Sequence, residues 1–265
     1  NGVVITGKAP HLCGIRIENG SVSFHDASAL EGAATGRVTG QLTGSGSVVA
    51  IGPAAEHGVR FASILVDSHY AAGRNGLGLV CASKNLKYLT VKGDGATEVA
   101  DPAELKKARE DIMRLVAASP ILFGELGITN YGTGALYDLM DTRHMMPTAN
   151  FRRTRFDSAG TMNAFTIKQS YGTAKTGCRG CHILCKKKTR DGRAVPEFET
   201  MSHFSALLEN DDLDAVVRAN ERCNHYGMDT ISMAATIACY AEIENRTPDA
   251  AELLELIEQT GMGRG

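Results

Sequence analysis

Asp101-Pro102-Ala103-Glu104-Leu105 is where the chain changes character. An Asp that can accept a backbone amide, a Pro at the first helical position and a Glu at the third together make a helix start. Leu105, Ala108, Ile112, Leu115 and Val116 then recur at helical spacing with charges between them. The pattern stays helical from there on. Leu213, Val216 and Val217 share one face between Asp212 and His225. Ile231 to Ile243 is apolar nearly all round, which predicts a buried helix. Thr247-Pro248-Asp249 opens a last helix with Leu253, Leu254 and Ile257 turned inward.

Upstream of Asp101 the texture is that of short strands and turns. Val3-Val4-Ile5, Gly14-Ile15-Arg16-Ile17, Val22-Ser23-Phe24, Val48-Val49-Ala50-Ile51 and Val59 to Leu65 are the strand candidates. Asn19-Gly20 lies between two of them, and both residues tolerate the positive φ that a tight hairpin turn needs. Residues 31–46, rich in Gly and Thr, read as a loop or a poorly formed helix. The expected fold class is therefore α+β: a β-sheet-rich N-terminal part over residues 1–98, then an all-helical domain over 99–265, both expected to be incomplete.

Hydrophobic residues at 43% and charged residues at 22% are enough for a packed core in a chain of 265 residues. A formal net charge of −2 argues against bulk attraction to nucleic acid or a membrane surface. No apolar run reaches spanning length and no signal-peptide pattern opens the chain, so a cytoplasmic location is expected. The absence of an initiator Met suggests a piece of something longer. Seven cysteines are an odd number, three of them within eight residues, unlike the spread of a secreted disulfide framework. Cys13, Cys81, Cys223 and Cys239 sit among apolar or small neighbours and are expected to be buried thiols.

The other three make the pattern Cys178-Arg179-Gly180-Cys181-His182-Ile183-Leu184-Cys185. Three thiols from one compact loop suit an iron–sulfur cube that takes its fourth ligand from far away. A Cys3His zinc site using His182 is the competitor, although adjacent Cys181 and His182 rarely point at one ion. Unligated structural cysteines are the third reading. Lys186-Lys187-Lys188 and Arg190 follow at once, either as a solvated turn or as cations that raise a cluster's potential or draw an acidic partner. Ala72-Gly73-Arg74-Asn75-Gly76-Leu77-Gly78 offers close backbone approach plus a guanidinium, as an anion or phosphate needs. It is neither a Walker A loop nor the dinucleotide fingerprint, and alone a structural turn is as good a reading.

Taken in order, Ile51-Gly52-Pro53-Ala54-Ala55-Glu56, Val59-Arg60-Phe61-Ala62, Gly73 to Gly78, Ser83-Lys84-Asn85-Leu86-Lys87, Met146-Pro147-Thr148-Ala149-Asn150-Phe151, the cysteine triplet, Pro196-Glu197-Phe198-Glu199-Thr200 and Cys223-Asn224-His225-Tyr226-Gly227-Met228-Asp229-Thr230-Ile231-Ser232 resemble the tungsten-dependent aldehyde:ferredoxin oxidoreductase family. The resemblance runs over nearly the whole chain. It implies an oxidoreductase with a tungstopterin (or molybdopterin) cofactor of two pterins, Mg2+ bridging their phosphates, and a [4Fe–4S] cluster alongside. It implies oxidation of a small aldehyde or related carbonyl substrate to the acid, with ferredoxin or another electron-transfer subunit as acceptor, and it is compatible with a homodimer. Carried over residue by residue, Cys178, Cys181 and Cys185 match the cluster ligands, and Arg74, Asn75, Gly76, Leu77 and Gly78 match the loop that cradles one pterin. Asp229, with Ser232 and Met233, matches a pterin-binding segment. Glu197 or Glu199 matches the acidic segment near the metal, where a carboxylate positions water or accepts a proton, and the sequence does not choose between them. Unaided by the family, Asp229 reads as a helix N-cap and the two glutamates as surface charge.

The chain also departs from the family. It is shorter, and no residue matches the fourth cluster cysteine, the second pterin Asp or the catalytic His. His225 follows Arg222 by three residues, so the Glu-x-x-His iron motif of some members has no counterpart. The chain alone is thus expected not to retain the tungsten cofactor. A cluster-carrying electron-transfer or scaffold subunit, and a related tungstoenzyme acting on aromatic CoA thioesters, remain as alternative functions.

Overall fold

The computed structural model describes residues 2–264. The first unit starts with β1 (Cys13–Glu18) and β2 (Ser21–Asp26), antiparallel about Asn19 (φ 48°) and Gly20 (φ 84°), the turn geometry their residue types permit. Helix α1 (Thr35–Gln41) follows, then β3 (Ser47–Ile51), α2 (Pro53–Glu56), β4 (Ile64–Val66), β5 (Tyr70–Ala72), α3 (Leu77–Ser83) and β6 (Leu86–Lys92). The six strands form one sheet in the order β2-β1-β6-β3-β4-β5, parallel only between β1 and β6. Val38 of α1 packs with Val48, Ala50 and Tyr88 of the sheet in a continuous apolar cluster.

Two strand expectations fail here. Val3-Val4-Ile5 forms no strand, and Val4 is 90% exposed. The run from Val59 turns instead of extending: Ala62 N–H donates to the Val59 carbonyl at 3.0 Å, and the strand begins only at Ile64. Hydrophobic alternation is local, whereas the turn is set by distant backbone that binds Phe61 and Ala62.

The second unit carries α4 (Pro102–Ala117), α5 (Pro120–Phe123), α6 (Ile128–Tyr131), α7 (Tyr137–Thr142) and α8 (Ala164–Tyr171). A two-stranded hairpin of β7 (Thr173–Thr176) and β8 (Lys186–Thr189) comes next, then α9 (Phe198–Phe204) and α10 (Leu213–Tyr226). Two more helices, α11 (Thr230–Ile243) and α12 (Ala250–Gly261), close the described chain. The core of this unit holds Tyr137, Met146, Met162, Ile167, Met201, Phe204 and Leu207. The Asp101 cap forms, its carboxylate accepting the Glu104 amide at 2.9 Å. Yet α4 buries none of its residues: Leu105, Ile112 and Leu115 all face outward. In α11, Met233, Ala234, Ile237 and Ala238 are buried, but Cys239, Tyr240 and Ile243 are exposed, so the helix is buried on one side only. The hairpin departs from the all-helical expectation for this part, because a lysine run carries no strand periodicity.

Compactness divides the described chain discontinuously. The sheet unit runs to Gly95 and takes back Glu221–Met233 and the segment from Ala251 onward; the other unit is Ala96–Asn220 with Ala234–Ala250.

Candidate functional site

The Arg74 loop is a turn that only small residues can make. Asn75 (φ 74°) and Gly76 (φ 67°) both lie in the left-handed region, so the chain reverses sharply between β5 and α3. A Cβ on Gly76 would fall 2.4 Å from the Arg60 carbonyl oxygen, and one on Gly78 would fall 2.6 Å from that of Ser63. The loop is thus pressed onto the Arg60–Ser63 turn, and Gly78 N–H donates to the Ala62 carbonyl at 2.9 Å. Arg74, Asn75 and Leu77 remain exposed above it. No described residue engages the polar ends of Arg74 and Asn75.

Asp229 reaches the same place from the far end of the sequence. Gly227 (φ 72°) turns the chain after α10, and its carbonyl accepts the Ser63 amide at 2.8 Å. Ala62 and Met228 form an antiparallel bridge, and Asp229 N–H donates to the Phe61 carbonyl at 3.1 Å. Asp229 is 5% exposed and caps α11: one carboxylate oxygen accepts the Ser232 amide at 2.9 Å and the Ser232 hydroxyl at 2.5 Å. Its other oxygen faces Gly73, where a Cβ would come within 2.9 Å of it. The structure therefore brings Arg74, Asn75, Gly76, Leu77 and Gly78 together with Asp229, Ser232 and Met233 in one unit. A buried carboxylate beside an open loop with a free guanidinium and amide is the donor set that a pterin phosphate requires: acceptor for ring N–H groups, cations for phosphate. The residues present fit that half of the cofactor. Gly73, to which the sequence alone attaches no separate role, is the residue that lets the loop meet Asp229.

A second feature supports this arrangement from below. Lys87, fully buried in β6, pairs with Glu56 of α2 and donates to the Ala33 carbonyl at 2.9 Å. The other oxygen of Glu56 accepts the Gly32 amide at 2.6 Å. Burial holds the Lys87 ammonium below the usual lysine range, against the pull of Glu56. Thr35, just beyond, donates its hydroxyl to the Asn224 carbonyl at 2.7 Å, before the Gly227 turn. Glu56 and Lys87 each lay in a segment that carried the family resemblance, with no role attached to either.

The cysteine triplet occupies the loop joining β7 to β8. Three successive carbonyls of this loop are pinned from below. Thr129 Oγ1 donates to Ile183 O at 2.7 Å, Lys187 Nζ donates to Leu184 O at 2.6 Å and to Ile128 O at 3.2 Å, and Gly132 is pressed against Cys185 O. Burial pushes the Lys187 ammonium down to about 8. Cys178 is exposed, Cys181 and Cys185 are half-buried, and none is in a disulfide. Three free thiols on one pinned loop have the donor chemistry of a cluster. Among the described residues, however, no three His, Cys, Asp or Glu side chains are gathered tightly enough to hold a metal. His182 points elsewhere, lining a cleft with Leu105, Arg109 and Met113 of α4, which removes the basis for a Cys3His site. Glu197 pairs with Lys186, the residue after Cys185, while Glu199 is exposed and its backbone carbonyl is engaged by the Ser202 hydroxyl and by His203. Of the four remaining cysteines, Cys223 is buried as expected, Cys13 and Cys81 are half-buried, and Cys239 is exposed.

The model of the aldehyde ferredoxin oxidoreductase N-terminal domain matches residues 1–93, and that of domains 2 and 3 matches residues 107–265. The tungsten-containing aldehyde ferredoxin oxidoreductase of Pyrococcus horikoshii is 32% identical over 255 residues, 93% of this chain and 42% of that protein. That of Thermococcus kodakarensis is 30% identical, over 92% of the chain and 41% of the relative. A Pyrococcus furiosus protein, the WOR-like subunit of an aliphatic sulfonate oxidoreductase, is 24% identical over 93% of the chain. The chain spans less than half the length of the relatives it matches. Among solved structures, the active-site complex BamBC of benzoyl coenzyme A reductase shares the fold, with a TM-score of 0.76 at 22% identity, covering 97% of this chain and 44% of that one. Matched by one family model on its sheet part and by another on its helical part, the chain belongs to the aldehyde ferredoxin oxidoreductase family.

Proposed function

We propose that this chain supplies one pterin-binding wall and the cysteine loop of a tungsten (or molybdenum) enzyme that oxidises an aldehyde to a carboxylic acid and delivers two electrons to ferredoxin. The observation that carries this reading is the meeting of Asp229 with Gly73 at the head of the Arg74 loop. A bound tungstopterin supplies the two-electron chemistry, and a [4Fe–4S] cluster on Cys178, Cys181 and Cys185 supplies the route outward.

The chain's own residues bind and orient. Arg74 and Asn75 offer a cation and an amide to phosphate, and Gly76 and Gly78 keep the backbone low enough for a flat group to lie across the turn. Asp229, already fixed by Ser232, accepts ring N–H groups without having to reorganise. Of the two acidic candidates, Glu197 is held by an ion pair whereas the Glu199 carboxylate stands in solvent. A positioned proton acceptor needs fixed geometry, so Glu197 is the better assignment.

The test uses the full-length polypeptide prepared without oxygen. Aldehyde-dependent reduction of a viologen dye is expected. Asp229→Ala should lower bound pterin about tenfold or more, as loss of a charged hydrogen-bond acceptor implies, and leave iron unchanged. Cys181→Ser should abolish cluster iron. Normal iron after the cysteine change would sink the cluster assignment, and normal pterin after Asp229→Ala would sink the cradle.

A further inference from the structure

Charge along the chain is far from even. Between Lys168 and Arg193 there are eight Lys and Arg against one acidic residue, Asp191, a net charge of +7, and the cysteine triplet sits in the middle. Since the whole chain is at −2, everything else carries −9.

The fold keeps these cations together. The β7–β8 register sets Lys175 opposite Lys187 and Ala174 opposite Lys188. Arg190 N–H donates to the Tyr171 carbonyl, which places its side chain beside the base of the hairpin. The tip that joins the two strands exposes Cys178, Arg179, Gly180 and His182. Elsewhere Lys92 pairs with Glu18 and Arg222 with Glu258. In the hairpin region Lys186 is paired with Glu197, and Arg193 with Asp191. Lys168, Lys175, Arg179, Lys188 and Arg190 are paired with no carboxylate among the described residues. They give the cysteine loop an uncompensated positive rim.

We propose that this hairpin is a docking face for an acidic protein electron carrier, an inference that rests on the redox reading of the cysteine loop given above. Charge complementarity identifies the occupant. A negative protein is steered to the positive rim, while the net charge of −9 on the rest of the chain gives it no comparable overall attraction. A nucleic acid is the rival for a basic surface, but Tyr131 is already engaged by Lys168 at 4.4 Å and Tyr171 by Arg193 at 5.2 Å, which leaves Phe165 as a single exposed ring beside them rather than a row on which successive bases stack.

The chain itself is titrated with an acidic plant-type ferredoxin at several salt concentrations. Binding should weaken steadily with salt, and the triple variant Lys175→Glu, Lys188→Glu, Arg190→Glu should bind about tenfold more weakly or worse. The triple variant Lys8→Glu, Arg37→Glu, Arg143→Glu, with the same charge change at exposed positions outside the hairpin, should stay within about twofold. Lys175→Glu and Arg190→Glu singly should each weaken binding severalfold, which decides the matter should the hairpin triple fail to fold. No ferredoxin binding by the wild type, equal loss in both triple variants, or tighter binding of a single-stranded DNA oligonucleotide than of ferredoxin overturns the proposal. Iron and acid-labile sulfide, measured on anaerobic full-length protein, separate the two readings. Ferredoxin binding with no cluster iron defeats the redox reading and leaves the docking face, whereas cluster iron without ferredoxin binding does the reverse.

Discussion

At the scale of single residues, the site rests on a few positions where a side chain is excluded or locked. Gly76 combines positive φ with a carbonyl oxygen where its Cβ would stand. Gly76→Ala should therefore cost about 2 kcal/mol or more, read as a lowered denaturation midpoint at unchanged slope. Asp229 shows why sequence alone leaves a residue between two roles: it is both a helix N-cap and the group facing Gly73, and the capping bond fixes the carboxylate for the second role. That Gly73 and Asp229 meet is not legible from either stretch, since the contact depends on Met228 bridging to Ala62. The cysteines sort by environment. Burial drives the Cys223 thiol far above its ordinary range, so the folded protein keeps a proton that the unfolded chain releases, and this residue withdraws stability as pH rises past the usual thiol value. A thiol reagent at neutral pH should modify the exposed Cys178 and Cys239 first and Cys223 only on unfolding.

At the scale of elements, local chemistry was legible wherever the element depended on itself. The Asn19-Gly20 hairpin and the Asp101 cap both form, because each is decided within four residues. The expected strand from Val59 failed because its backbone is claimed by Gly78 and Asp229, which lie far along the chain. The same dependence makes the Lys87–Glu56 pair a test of element assembly. Lys87→Met leaves Glu56 without its partner under the sheet and should cost about 3–5 kcal/mol, whereas adding Glu56→Gln should recover part of that loss. A double-mutant cycle by denaturant unfolding gives the coupling directly. If the two losses simply add, the pair does not fasten α2 to β6.

At the scale of the whole molecule, the α+β order of strands before helices was readable from the change at Asp101, while the outward stripe of α4 was not. Periodicity reports that a helix has an apolar side, not that anything covers it. Replacing Leu105, Ile112 and Leu115 together by Ser should change unfolding free energy by less than about 1 kcal/mol, because none of them is buried, and should lower self-association in sedimentation at high concentration. The division into units also bears on synthesis. A ribosome finishes the six strands early, yet Glu221–Met233 and the segment from Ala251 onward, which belong to the same unit, emerge only after residues 96–220 of the other unit have been made. The nascent sheet must therefore wait, unfinished, for these two segments, and stalled or prematurely released chains ending before Glu221 should be protease-sensitive throughout, strands included.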